Sequence, residues 1–252
     1  MAALPDRAAA VVAHSATRPV SSAPEQISII IPTLNEAVAL ETSLPALQLY
    51  RERGHEIIVV DGGSHDRTLA VARPQVDRLM QTVKGRAHQM NEGAEVAKHA
   101  ILLFLHADSF LPEQADELIA QALEADNRHW GRFDIRLSND SLIYRVIEQS
   151  VNWRSALSGI ATGDQAIFVK KRSFEDVGFF DRIPLMEDVA LSKKLRKVSA
   201  PCRLKQPVQT SSRRWEKHGV LRTILLMWRL RLAYALGARP EKLADKYYPD
   251  SR

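Results

Sequence analysis

An apolar run from Ala100 to Leu105 stops abruptly at His106-Ala107-Asp108, with Pro112 close behind. An uncharged run of that length, bounded by polar residues, reads as a strand buried on both faces. Such a strand needs a covering layer on each side, which narrows the chain to an α/β fold. A carboxylate at the carboxyl end of a buried strand stands where open α/β sheets bind their ligands. Asp108 and His106 alternate, so both can face one side of that end. This suits a divalent cation with an anionic ligand. The plainer account of Asp108 is a cap for the helix expected over Pro112–Glu124.

Two earlier runs repeat the pattern. Gln26–Pro32 is rich in isoleucine and ends in Thr33-Leu34-Asn35-Glu36. Glu56–Val60 ends in Asp61, followed by a turn through Gly62-Gly63-Ser64-His65-Asp66. Between them Leu40, Leu44 and Leu47 recur at helical spacing, with Pro45 as a kink and Gly54 as the stop. Asp77–Thr82 is a shorter third strand. Arg86–Lys98 is a helix with Ala87, Met90, Ala94 and Ala97 on one face. Strand alternating with helix predicts a parallel, doubly wound sheet with right-handed crossovers. Beyond about residue 128 the character changes. Trp130–Leu137 alternates as in a mixed-sheet strand. Ser141–Leu157, Lys171–Asp176 and Glu187–Val198 read as helices, Gln165–Val169 and Arg203–Val208 as strands. Val220–Leu236 is an amphipathic, basic helix, with Leu221, Ile224, Leu225, Trp228, Leu232 and Leu236 near one face and Arg222, Arg229 and Arg231 around the rest.

Composition sets the bounds. With 252 residues, 45% apolar and 26% charged, the chain suits one large domain with a small appendage. Its net charge of +5 favours anionic partners. No recognisable nucleic-acid module accompanies that charge, so nucleic acid is not expected as a partner. Cys202 is the one cysteine, which allows no internal disulfide and fits a reducing cytoplasm. No stretch of about 18 uncharged apolar residues predicts a spanning helix. Residues 1–25 are rich in Ala, Ser and Pro and read as a disordered tail. His14, His55, His99, His129 and His218 lack ligand-like spacing and default to surface or helix-end positions. Trp130 and Trp153 read as core or pocket wall.

Thr33, Asn35, Glu36, Asp61, Ser64 and Asp66 gather at the ends of two neighbouring strands, where they can accept from base N–H groups or ribose hydroxyls. Asn35, Ser64 and Asp66 are equally well explained as helix caps. Asp61 is harder to explain so, since a charge at the end of a buried strand needs something to bind it. There is no GxxxxGK[ST] loop and no GxGxxG turn after the first strand, which argues against a P-loop ATPase and a dinucleotide oxidoreductase. A bound diphosphate then needs another counter-charge. Asp108 with Mg²⁺ or Mn²⁺ supplies one, with Lys84, Arg86 and Arg214 as helpers.

These segments resemble the family 2 glycosyltransferases. Ile29–Glu36 is similar to the family's opening strand and PTxNE turn, Val59–Thr68 to its VDGGSxDxT segment, and Gly85–Gly93 to its GRAxQxNxG helix. Phe104–Asp108 stands at the DxD position, and Gly163-Asp164-Gln165 and Glu187-Asp188 match the acceptor-side loop and the ED motif. The resemblance implies a GT-A-type fold: a Rossmann-like, mostly parallel central sheet flanked by helices over residues 26–215. Residues 216–252 are left as a C-terminal helical extension. It also implies roles. Pro32, Thr33, Asn35, Glu36, Asp61, Gly63, Lys84 and Arg86 would line the nucleotide side of a nucleotide-sugar donor, UDP- or GDP-linked. Asp108, with His106 beside it, would ligate Mn²⁺ or Mg²⁺. Asp188 would be the general base of an inverting transfer to an acceptor hydroxyl. Gly163, Asp164, Gln165 and Glu187 would lie near the acceptor or donor sugar. Arg214-Trp215 resembles the end of the QxxRW motif of processive synthases, but Ser211 stands where Gln would be, which argues against polymer synthesis. His106 replaces the first Asp of DxD and leaves one fewer negative ligand.

Two other readings remain open at this level: a sugar-phosphate nucleotidyltransferase, and a non-catalytic membrane-surface or assembly protein on a degenerate transferase fold. The first would want a glycine-rich, basic first loop, and Thr33-Leu34-Asn35-Glu36 is neither. Residues 220–236 are left open between an anionic membrane surface, a second copy and packing on the domain itself. Ser211–Gly219 is expected to close over the donor as a lid. The expected location is the cytoplasm, peripheral to the inner membrane surface.

Overall fold

The computed structural model describes residues 25–125 and 128–247. The expected N-terminal tail therefore lies almost wholly outside the described residues. The isoleucine-rich run is strand β1, Ile27–Thr33. It is followed by helix α1, Ala37–Glu52, strand β2, Glu56–Asp61, helix α2, Thr68–Ala72, and strand β3, Arg78–Gln81. Helix α3, Arg86–Val96, leads into β4, Ile101–Phe104. β1, β2, β3 and β4 run parallel, in the order β3-β2-β1-β4. Pro45 sits within α1, which continues through it.

The second half adds β5, Ser109–Phe110, α4, Ala115–Glu124, β6, Trp130–Leu137, and α5, Leu142–Ser158. It goes on through β7, Phe168–Lys170, α6, Lys171–Asp176, α7, Glu187–Leu195, and β8, Cys202–Thr210. Helices α8, Arg213–His218, α9, Val220–Ala235, and α10, Pro240–Tyr247, complete the described chain. The eight-stranded sheet has the order β3-β2-β1-β4-β7-β6-β8-β5. β7 is antiparallel to both β4 and β6, while β6 and β8 are parallel. The sheet is thus mostly parallel, with a reversal at β7 that the doubly wound expectation did not contain. β5 leaves β4 after a few residues yet pairs with β8 at the far end of the order, so the sheet curls back on itself.

The core has a layer on each face. Ile27, Ile29 and Ile31 of β1 face Leu40, Leu44 and Leu47 of α1. Ile30 faces Ala87, Met90 and Ala94 of α3 on the other side. This period of two in β1 against four-residue spacing in the helices is what each backbone dictates. β6 departs from the expected alternation. All of it is buried except Arg136, because both of its faces are covered. His55 departs from its expected surface position. It is buried, accepts the Ile27 amide proton at Nδ1 (3.0 Å) and pairs through Nε2 with Asp116 at 2.9 Å. Trp130 is fully buried as expected, but Trp153 is exposed.

Gly93 allows α3 to lie against the sheet. A Cβ there would stand 2.5 Å from Ile30 Cγ2 and 3.2 Å from Val60 Cγ2. Gly93→Val should therefore lower stability by about 1–3 kcal/mol through overpacking, measured by urea denaturation.

Candidate functional site

The C-terminal ends of β1, β2, β4, β6 and β8 lie along one edge of the sheet, and β7, being antiparallel, begins there. The edge is built first from two interlocked loops. Asp61, at the end of β2, has no exposed surface. Its Oδ2 accepts the amide protons of Gly63 (3.0 Å) and Ser64 (2.8 Å), and its Oδ1 accepts the hydroxyls of Thr33 (3.3 Å) and Ser64. The buried charge is satisfied by its own turn. Gly63 holds φ at +92°, a conformation open to glycine. Ser64 Oγ in turn accepts the Asn35 amide proton (2.7 Å), and Asn35 Oδ1 accepts that of His65 (2.9 Å). Asp66 Oδ1 takes the Thr68 amide proton at 2.9 Å and Oδ2 that of Ala37 at 3.2 Å. So Asp66 takes the first amide of two helices at once, whereas Ser64 takes only a loop amide and bonds Asp61, and the cap reading describes Asp66 alone. Gln89, on α3, donates to the carbonyls of Thr33 (2.7 Å) and Val60 (2.8 Å) and pins both strand ends. Sequence reading had not singled it out.

Above this base a cleft opens, lined by Pro32, Arg86, Phe104, His106, Gly163, Glu187 and Asp188 among others. Arg86 is the first residue of α3. Glu187 and Asp188 stand in the first turn of α7, where the helix dipole favours acids. Asp188 Oδ2 accepts the Gly163 amide proton (2.9 Å) and Oδ1 that of Val189 (2.7 Å). Burial raises the Asp188 pKa, opposed by those two amides and by Arg86. Glu187 is pushed up to about 7 by burial and then by Asp188, with Arg86 opposing. Arg86 also lowers the pKa of Glu36, which burial and Asp108 raise. One guanidinium is thus felt by acids on both flanks of the cleft.

His106 is held neutral. Burial, then Arg86, drive its pKa well below the ordinary histidine value. Its Nε2 is enclosed without a hydrogen-bond partner, as is Oδ1 of Asp164. A Cβ on Gly163 would reach 2.6 Å from that Nε2, so only glycine lets the turn close over the imidazole. Met186 and Ala166, both at positive φ (71° and 46°), flank the acidic turn and the Gly163 turn. Backbone held in that region tends to sit at functional sites.

Asp108 lies at the mouth. Arg213, on α8, donates from Nη2 to Asp108 Oδ2 (3.2 Å) and to Glu36 Oε2 (3.4 Å). Arg213, not Arg214, is therefore the cation beside Asp108. Arg214 stacks on Tyr247 at 3.6 Å from the ring centroid, and Trp215 packs among Leu137, Tyr144 and Ile147. Gln165 is fully buried. Its Oε1 accepts from Ser155 Oγ (2.7 Å) and the Thr162 amide (3.1 Å), so it shapes the turn from inside and does not line the cleft. Lys84 is exposed. Arg154, on α5, is a further cation missed in the sequence: it feels both Asp164 and Asp188. Its signal was a charge at helical spacing from the inward Ile147 and Val151.

Among the described residues no three His, Cys, Asp or Glu side chains converge as a ready-made metal cage. Mg²⁺-type sites, however, use one or two carboxylates and complete their shell with water and substrate phosphate. Asp108 at the mouth fits a cation that arrives with a diphosphate, whereas the His106 Nε2 is covered by the Gly163 turn.

Residues 28–176 match the family model described as glycosyl transferase family 2. The PGL/p-HBAD biosynthesis glycosyltransferase of Mycobacterium tuberculosis is 33% identical over 159 residues, covering 52% of this chain and 60% of that protein. The poly-beta-1,6-N-acetyl-D-glucosamine synthase of Staphylococcus aureus is 25% identical over 189 residues, 68% of this chain and 46% of that protein. The chain thus spans 60% or less of these relatives' length. Among solved structures, mannosyltransferase PcManGT from Pyrobaculum calidifontis, in complex with GDP-Man and Mn²⁺, superposes with a TM-score of 0.61 at 24% identity. That match covers 86% of this chain and 65% of that one. S. aureus TarS 1-349 in complex with UDP-GlcNAc gives 0.62 at 17% identity, covering 74% and 58%. These likenesses show the GT-A fold.

The acid pair has a measurable signature. A carboxyl whose folded pKa is raised stabilises the protein below its unfolded pKa and loses that contribution as pH rises through the folded value. For Glu187, between 4.5 and about 7, the loss is on the order of 3 kcal/mol. Glu187→Gln should flatten the fall in stability over that window, read by denaturation at a series of pH values. An unchanged slope would remove the pair from this account.

Proposed function

The chain belongs to glycosyl transferase family 2, and from that premise we propose that it moves a sugar from a UDP- or GDP-linked donor to an acceptor hydroxyl with inversion. The observation that carries the reading is the cleft shared by Asp188, Glu187, Arg86 and His106. A carboxylate with a raised pKa is a better proton acceptor near neutrality. Each Asp188 oxygen accepts one amide proton, which fixes the carboxylate and leaves lone pairs toward the cleft.

In the proposed step the acceptor proton passes to Asp188 as the acceptor oxygen bonds the anomeric carbon. The glycosidic C–O bond breaks, and its electrons go to the departing diphosphate. Arg86 on one side and Arg213 at the mouth meet that charge. Pro32, Thr33, Asn35, Glu36, Asp61, Gly63 and Lys84 form the nucleoside side, with Asp61 acting through the turn it organises. Gly163 and Asp164 face the sugar, and Glu187 holds the negative field around Asp188. Asp108 would hold Mn²⁺ or Mg²⁺, which when bound neutralises diphosphate charge as a Lewis acid. The GDP-Man, Mn²⁺ and UDP-GlcNAc of the neighbouring structures support this donor class. Residues 26–215 form the transferase unit in this reading, with 216–252 as an extension to it, and the single Cys202 agrees with a cytoplasmic site of action.

Asp188→Asn should lower kcat by about 10²–10⁴-fold while nucleoside diphosphate binding persists, by turnover assay and calorimetry. Asp108→Ala should weaken nucleoside diphosphate binding in Mn²⁺ and leave the circular dichroism spectrum unchanged. Full activity in either variant overturns its assignment. Pyrophosphate release from a nucleoside triphosphate and a sugar phosphate would point to a nucleotidyltransferase instead.

A further inference from the structure

The large apolar side chains left in solvent are concentrated on two helices. On α9 and the residue after it, Leu221, Leu225, Trp228, Leu232 and Leu236 are all exposed, Trp228 at 70%. They recur every three or four residues and so form one stripe, about 22 Å long at helical rise. On α5, Leu142, Val146, Trp153 and Leu157 form a second exposed row. The helices share one apolar cluster, where Tyr144, Ile147 and Val151 of α5 meet Val220 and Ile224 of α9. The other side of α9 is occupied: Leu226, Leu230 and Tyr234 pack with Leu185, Met186 and Val189.

Charge selects what covers this face. α9 carries Arg222, Arg229 and Arg231 and no acid, and Arg222 and Arg229 are exposed. By helical phase those two border the same side of the stripe. A two-fold dimer on this face would set the same arginines against the partner's own, with no carboxylate on the helix to answer them. No helix among the described residues is long and apolar enough to cross a membrane. Apolar stripe, bordering arginines and tryptophan together match a helix lying in the plane of an anionic lipid surface. We propose that this chain docks on an anionic bilayer through the exposed stripe of α9. Met186 and Val189, on either side of Glu187-Asp188, pack with the inward Leu230 and Tyr234, so α9 stands between the acid end of the cleft and the lipid. If Asp188 is the base proposed above, the hydroxyl it deprotonates belongs to a bilayer-borne acceptor; the docking itself does not depend on that role.

The test is co-sedimentation of the full chain with vesicles of phosphatidylcholine and phosphatidylglycerol in equal parts, against phosphatidylcholine alone. The chain should pellet with the mixed vesicles, release with rising salt and show a blue-shifted tryptophan emission. Leu225→Asp with Leu232→Asp, both at exposed positions, should lower binding at least about tenfold with an unchanged circular dichroism spectrum. Arg222→Glu with Arg229→Glu should abolish the preference for anionic lipid. Failure of the wild type to pellet, or wild-type binding by the double aspartate variant, overturns the proposal. So does a dimer in sedimentation velocity that the aspartates dissolve, which would assign the face to a second copy. None of these readouts uses transfer, so docking can fail while the transferase reading stands, and the reverse.

Discussion

A carboxylate with no exposed surface must be satisfied by the chain around it, and at the end of β2 this requirement shapes everything above it. Asp61 draws in the Gly63 and Ser64 amides and the Thr33 and Ser64 hydroxyls. Because Ser64 also accepts from Asn35, and Asp66 accepts from both Ala37 and Thr68, the loops after β1 and β2 become one rigid unit. Gln89 locks that unit to α3, whose first residue is Arg86. The start of the helix that carries Arg86 is therefore set by hydrogen bonds made well below it.

The cleft itself is held in electrostatic tension. Glu187 is buried beside the half-buried Asp188 and feels its charge, and Glu36 feels that of Asp108 across the mouth. Arg86 tempers the first pair and shares the second with Arg213. His106 adds no positive charge, since burial and Arg86 both oppose its protonation. The positive charge there comes from guanidiniums, Arg86 and Arg213, whose side chains reach solvent.

What the sequence disclosed follows the range of each interaction. β1, β2 and α3 were legible because their patterns are local: alternating isoleucines, an acid at a strand end, alanines at helical spacing. β5 was not, because Ser109 and Phe110 become a strand only through Gln209 and Thr210, far along the chain. His55 looked like a surface residue because its partner Asp116 is distant in sequence. Arg213 and Arg214 are neighbours in sequence, and the phase of α8 sends one to Asp108 and the other to Tyr247. Gln165 and Asp164 also adjoin, yet one is sealed inside and the other turns a bare oxygen toward a cation-rich interior. The motifs located the site; which member of a motif touches it was a matter of tertiary packing.

The reversal of direction at β7 has a consequence for how such a molecule can change. β4 exits the sheet where β7 enters, so His106 and Gly163 meet although more than fifty residues separate them. Everything between them, from β5 through α5, is a detour that begins and ends at the same place. None of the residues lining the cavity falls within that excursion, so insertions there can change what surrounds the mouth while both walls, one running to His106 and the other starting at Gly163, keep their shape. The architecture separates the walls of the cavity from the segment that joins them, and lets the segment vary without disturbing the walls.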